Sequence, residues 1–397
     1  MSKSKKNKQI NKQIKHNKTA KRKRSKKHIY KHKHREIILA SRTPEEIYKI
    51  SKNISKKIDA GSYSPTINKE LITLRTIPRK ELLDCNIENA YKLKEPLKIG
   101  IKGKIYGKSC YNYNTPQAKH FLLKNLAADK HIEINKIVPP IQSDANCWFN
   151  AMFVTFFVSD KGRKFFHFLR QLMIEGKQKD GSVIPEKLRD AFALLNFAID
   201  ACLTGNEYAY VLNTNSVIEL IFNSIPDSYK NMYPYIYNIH QSGNPIIYYI
   251  GIVTYLNNSA IQLLFIRNTN SKWKDKLIES IAQMSYLPHV IVLEIADNNA
   301  SEFNKKPVVF KVNDASYRID SAVVRDISKQ HFCTTITCEG KEMSYDGASF
   351  KRLVPLEWKH RMNSDISWQF EGTIDEHNMP VEWNFTKSYQ MLIYYRI

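Results

Sequence analysis

Glycine and proline are scarce, 13 and 15 of 397 residues, which excludes a collagen-like repeat or a low-complexity chain. No apolar run approaches the roughly 18 residues a membrane helix needs. The longest, Ile246–Leu256, has eleven, so no membrane partner is expected. The basic N-terminus has no apolar stretch behind it, and no signal peptide is expected. Cysteine is thin: Cys85, Cys110, Cys147, Cys202, Cys333 and Cys338 form no Cys-x-x-Cys pair. That spacing argues against zinc fingers and thioredoxin-like motifs, and without a secretory signal all six read as reduced thiols inside a cell.

Acid is missing altogether from residues 1–35, which carry 16 Lys and Arg. The rest of the chain has a basic surplus of only seven, so most of the net charge of +23 sits in this arm. Its like charges repel and have few apolar partners, and residues 1–36 read as a disordered basic tail. Such a tail attracts nucleic acid or another polyanion through counterion release, serves as a nuclear import signal, or acts as a solubilising tail. Tyr30 is its one aromatic residue, so base stacking on single strands has no support.

What is present is a core: 43% of the residues are hydrophobic. Thr43-Pro44 and Thr115-Pro116 are helix-start signals, opening helices to about Ala60 and about Ala127. Val138-Pro139-Pro140 forces extended backbone and marks a boundary between an N-terminal accessory region, 37–136, and a domain spanning 137–397. From Cys147 to Val158 nearly every residue is apolar, as in a helix buried all round. Helices are expected over Gly162–Ile174 and from Pro185 to about Leu203. β-rich runs follow at Ile246–Leu256, Ile261–Ile266, His289–Ile295, Val308–Val312, Tyr317–Val324, Phe332–Thr337 and Tyr389–Tyr395. Helices first and strands afterwards predict an α+β fold, a helical lobe packed on an antiparallel sheet.

Two stretches carry chemistry. In the first, Gln142-Ser143-Asp144-Ala145-Asn146-Cys147, a polar loop delivers a thiol to the first turn of a buried helix. The positive helix end favours a thiolate, and unpaired N–H groups there can hold an oxyanion. Gln142 is the candidate side-chain donor, with Asp144 and Asn146 as alternatives. A free cysteine is ordinarily just a buried apolar group, and a helix start alone does not decide between the two. The second stretch, His331 to Asp346, reads as a β-hairpin turning at Glu339-Gly340. If Cys338 pairs with Lys341, His331 and Asp346 share a face as diagonal neighbours, roughly 7–8 Å apart at Cα. The carboxylate then orients the imidazole while the other ring nitrogen takes the thiol proton. His331, Cys333 and Cys338 fit no closed four-ligand zinc pattern, and no metal or cofactor is expected.

The residues from about Pro139 to Ile397 resemble the ubiquitin-specific proteases, papain-like deubiquitinating cysteine peptidases. The family's cysteine box, N-x-G-x-T-C-[YF]-x-N-[SA], compares with Gln142-Ser143-Asp144-Ala145-Asn146-Cys147-Trp148-Phe149-Asn150-Ala151. Its histidine box compares with Tyr317-Arg318-Ile319-Asp320-Ser321-Ala322-Val323-Val324, Gln330-His331-Phe332 and Met343-Ser344-Tyr345-Asp346. Its strand before the histidine box compares with Leu287–Leu293, and its final strand with Ser388–Tyr395. The segment Asp144–Ala151 is also similar to the cysteine box of ovarian-tumour-type deubiquitinases. Three features depart from the pattern: Gly347 stands where many members have a second acid, Gln330 replaces a glycine, and the zinc-binding fingers are missing.

The resemblance implies a papain-like fold with Cys147 as nucleophile, His331 as general base, Asp346 as its orienting acid and Gln142 as oxyanion donor. It implies a thiol peptidase acting on ubiquitin, a ubiquitin-like protein or another protein cut after a small residue. With the basic tail, the chain looks like a product of a large DNA virus, working in the host cytoplasm or nucleus or packaged in a virion. The rival expectation is an inactive peptidase fold serving as a nucleic-acid-associated or virion structural protein.

Overall fold

The computed structural model describes residues 81–397 apart from 84, 103–106, 129–131, 179–180, 211–212, 257–262, 285–286 and 304. The basic tail and the helix expected over 43–60 lie outside the described residues. The chain opens with a short helix α1 (Ile87–Tyr91), the hairpin β1 (Lys98–Lys102) and β2 (Lys108–Asn112), and helix α2 (Pro116–Ala128). A run of helices follows: α3 (Cys147–Phe157), α4 (Asp160–Phe165), α5 (His167–Glu175), α6 (Glu186–Thr204), α7 (Asn215–Ser224), α8 (Asp227–Met232) and α9 (Pro245–Tyr255). Then come β3 (Leu263–Ile266), α10 (Trp273–Ala282), β4 (Val290–Ile295), α11 (Asp297–Ala300), β5 (Val309–Val312), β6 (Ala315–Arg325), β7 (Phe332–Cys338), β8 (Lys341–Tyr345), β9 (Leu353–Pro355), α12 (Trp358–Arg361) and β10 (Gln390–Arg396).

The fold is α+β. Among the described residues one large sheet runs β3-β4-β10-β6-β7-β8-β9, with β5 added beside β6. Only β3 and β4 are parallel in it; the other neighbouring pairs are antiparallel. Side chains alternate along each strand, and here both faces are covered. Val290, Val292, Met391 and Ile393 join the helical core, while Ile291, Leu293, Leu392 and Tyr394 join a second core with Trp273, Trp358, Trp368 and Trp383. The centre of the first core is α3, in which every residue after Cys147 is buried. The accessory segment shares that core: Leu82, Ile99, Phe121 and Leu126 pack in one cluster with Phe149 and Phe153, so apolar packing runs straight across residue 136.

Several expectations are corrected. Ile246–Leu256 is a helix rather than a strand. Its β-branched and aromatic run is largely buried and has no usable period, whereas Asn244-Pro245 is a helix start: the Asn244 carboxamide accepts from the N–H groups of Ile246 and Ile247 at 3.0 and 3.1 Å. The single helix expected over Gly162–Ile174 is two, because the chain turns at Phe166. The cysteines are not all free. Cys85 and Cys110 form a disulfide, brought together because Leu83 bridges to Gly100, which lies opposite Cys110 in the hairpin. Gly100 permits that approach, since a Cβ there would sit 2.6 Å from the Leu83 carbonyl oxygen.

Candidate active site

The cysteine loop is held by amides. Asn146 accepts from the Ser143 N–H at 3.1 Å and from the Asn150 carboxamide at 3.2 Å, and its own amide donates to the Thr214 hydroxyl at 3.0 Å. Thr214 donates on to Asn150 at 2.7 Å, closing a buried ring of three side chains. Asn215, opening α7, donates to the Ser143 hydroxyl at 3.1 Å and to the Asp144 carboxylate at 2.9 Å. Asp144 itself takes a left-handed backbone, φ 54°, which short polar side chains tolerate. The loop therefore delivers Cys147, half-buried, to the first turn of α3 with its geometry fixed from α7.

The histidine loop is clamped by Asp326, a buried residue that sequence reasoning passed over. Its carboxylate accepts from the N–H groups of Gln330 and His331 at 2.7 and 2.5 Å, and its own N–H donates to the His331 carbonyl at 2.8 Å. The hairpin turns at Glu339-Gly340 as expected, with Cys338 opposite Lys341 and Thr334 opposite Tyr345. Beyond Tyr345 the strands part, and Asp346 bonds through its N–H to the Arg352 carbonyl at 2.9 Å. Its side chain turns back to His331, where Asp346 Oδ1 lies 2.7 Å from His331 Nε2. The Ala348 N–H also donates to Oδ1, at 3.0 Å, and the Thr373 hydroxyl donates to Oδ2. Trp383 packs against the ring, centroids 5.7 Å apart.

Cysteine loop and aspartate loop are tied to each other. Gln142 N–H donates to the Gly347 carbonyl at 2.9 Å, Tyr345 Oη to the Pro140 carbonyl at 2.7 Å, and Arg352 to the Pro139 carbonyl at 2.6 Å. Gly347 is small for a reason visible here, since a Cβ would come within 2.7 Å of Tyr345 Oη and 2.9 Å of the Gln142 nitrogen. These ties set the Cys147 thiol beside His331, close enough to help raise the pKa of the ring. Nε2 is committed to Asp346, so Nδ1 is the ring nitrogen left for another partner. Burial alone would push the ring's pKa down. The hydrogen bonds and charges of Asp346 and Cys147 outweigh it and raise the pKa to about 10, so the imidazolium is the favoured form.

Of the residues expected to form the site, Cys147, His331 and Asp346 are brought together. Of the three oxyanion candidates, Asn146 has spent its amide on Thr214 and Asp144 has its carboxylate on Asn215. Gln142 keeps an amide without such a commitment; its Oε1 is buried with no hydrogen-bond partner among the described residues. The other free thiols are buried, and burial pushes Cys202, Cys333 and Cys338 up, the last to about 12. Cys333 and Cys338 also belong to opposite cores of the sheet, which separates them as ligands. Asn150 stands in the cysteine box, and the residues the sequence did not single out are Thr214, Asn215, Asp326, Thr373 and Trp383. Only Asp326, five residues before the histidine, had a local signal, as an Asp opening a turn.

No helix among the described residues is long and apolar enough to cross a membrane. No protein-family model and no curated protein matches the sequence. Among solved structures the chain is similar to one titled an essential yeast splicing factor, at 8% identity over 79% of this chain and 88% of that one, with a TM-score of 0.36, a likeness too slight to carry fold or function across.

Proposed function

We propose that this chain is a cysteine peptidase of papain-like fold, with Cys147 as nucleophile, His331 as general acid and base, and Asp346 as the group that orients the ring. The observation that carries the reading is the convergence of three side chains from distant parts of the chain: a thiol at a helix start, an imidazole in its reach, and a buried carboxylate 2.7 Å behind that imidazole. A buried, charge-assisted hydrogen bond of this kind is what fixes an imidazole for proton transfer.

The Cys147 thiolate attacks a peptide or isopeptide carbonyl, and the negative charge formed on oxygen is held by N–H groups at the start of α3 and the Gln142 amide. The imidazolium of His331 gives its proton to the leaving amine. Water, activated by the now neutral ring, hydrolyses the thioester and restores the enzyme. The substrate class suggested by the sequence resemblance is ubiquitin or a ubiquitin-like tail. A protein cut after a small residue fits the same chemistry.

A ubiquitin-tail activity-based probe tests this directly. Intact mass after incubation should rise by one probe, with the gain lost in Cys147→Ala and cut by about 10²–10⁴-fold in rate in His331→Gln. No mass gain with ubiquitin or ubiquitin-like probes removes the deubiquitinase reading. If Cys147 also shows no His331-dependent reactivity toward a small alkylating agent, the peptidase reading goes too, in favour of an inactive fold with a binding role.

A further inference from the structure

The second oxygen of Asp346 is held from a segment that otherwise meets the three proposed groups through Trp383, packed against the His331 ring. Between β9 and β10 residues 356–389 run mostly without regular structure, anchored in the second core by buried Trp358, Trp368, Trp383 and Phe385. Within it the chain turns at Phe370–Thr373, where the Thr373 N–H donates to the Phe370 carbonyl at 3.3 Å. Gly372 takes φ 88°, which an L side chain rarely adopts, and a Cβ there would strike the Phe350 ring at 2.8 Å. The turn aims the buried Thr373 side chain inward, onto Asp346 Oδ2.

We propose that Thr373 is a positioning residue of this site: its hydroxyl holds Oδ2 of Asp346 and so keeps Oδ1 in line with His331 Nε2. The inference rests on the peptidase reading and adds to it a fourth side chain. Asp346 is fully buried, so a donor lost without leaving room for a water, as in Thr373→Val, is not replaced by solvent. Two donors fix the plane of the carboxylate, the Ala348 N–H on Oδ1 and the Thr373 hydroxyl on Oδ2. With the second removed, the carboxylate is free to rotate about its own axis or to take up a proton. Either change weakens its hold on the imidazolium, and neither touches the thiol or the substrate-facing side of the ring.

The test needs no substrate. The rate of Cys147 alkylation by iodoacetamide is followed against pH by intact mass, in wild type, His331→Gln, Thr373→Val, Thr373→Ala and Thr373→Ser, with folding checked by circular dichroism. The wild type should show a reactive plateau that His331→Gln abolishes. Thr373→Val should move the alkaline inflection down by at least one pH unit, a tenfold weakening of the ion pair, and Thr373→Ser should restore it. Thr373→Ala should shift it the same way by less, since the space admits a water, and it serves alone should the valine variant not fold. A wild-type profile in the folded valine and alanine variants, or an upward shift, overturns the inference while leaving the peptidase reading intact. A wild-type Cys147 no more reactive than a free thiol and indifferent to His331 removes that reading, and the role of Thr373 with it.

Discussion

His331 shows how burial and hydrogen bonding compete at one residue. Removal from water disfavours the charged ring, and Asp346 and Cys147 more than offset that cost. A histidine whose pKa is raised on folding contributes stability that is whole below its unfolded value, about pH 6.5. The contribution drains away as pH rises toward about 10. Urea denaturation between pH 6 and 10 should therefore show a falling stability in wild type and a flatter one in His331→Gln. On the proposed mechanism the alkaline limb of turnover should lie in the same upper range, since the ring must enter the reaction protonated. Gly347 makes a second residue-scale case. Gly347→Ala should force apart Gln142 and Tyr345 and slow probe labelling by roughly 10–100-fold, the usual effect of a displacement of about 1 Å in a reacting geometry. Labelling at the wild-type rate would show that the Gln142–Gly347 tie is dispensable.

At the scale of elements, the site depends on how loops are fastened to the ends of regular structure. The cysteine loop is fixed by the start of α7, the histidine loop by its own aspartate, and the aspartate loop by three bonds to the residues before Cys147. Helix α9 contributes through its cap. Asn244 satisfies two of the helix's first N–H groups and also donates to Tyr389 Oη at 3.0 Å, at the start of β10. Asn244→Ala should cost about 1–2 kcal/mol in chemical denaturation, a capping loss. A loss below about 0.5 kcal/mol would show that the cap is dispensable.

At the scale of the molecule, the sheet is sandwiched between two apolar cores, and the first draws on residues well before the cysteine loop. A chain beginning at residue 137 would strip Phe121, Leu122, Leu123 and Leu126 from that core, each worth about 1.5–3 kcal/mol in burial. It should fail to give a cooperative thermal transition, although the whole candidate site lies within it. Removing residues 1–35 should do the opposite. Their 16 cationic side chains predict salt-sensitive retention of DNA or RNA that is lost on deletion, with probe labelling nearly unchanged. Equal loss of both would refute the separation of tail from site.

Much of this was legible in the chain because it is local. Alternation and turn residues place most strands of the sheet within a residue or two, and Pro185 with Gly205 bounds α6, since periodicity and capping are set by near neighbours. The hairpin register from Cys338–Lys341 followed from a two-residue turn. The candidate triad follows from a thiol before an apolar run, a histidine opening a strand and an aspartate closing the hairpin. A run such as Ile246–Leu256 is ambiguous by itself because apolar residues on nearly every side hide the period, and tertiary packing together with its cap made it a helix. The disulfide required a hairpin and a bridging strand to bring Cys85 to Cys110. Thr373 reaches Asp346 only because a loop 27 residues further along folds back over the site. Local propensity belongs to the sequence by itself; which oxygen of a buried carboxylate is held, and by what, depends on groups that only the closed fold makes neighbours.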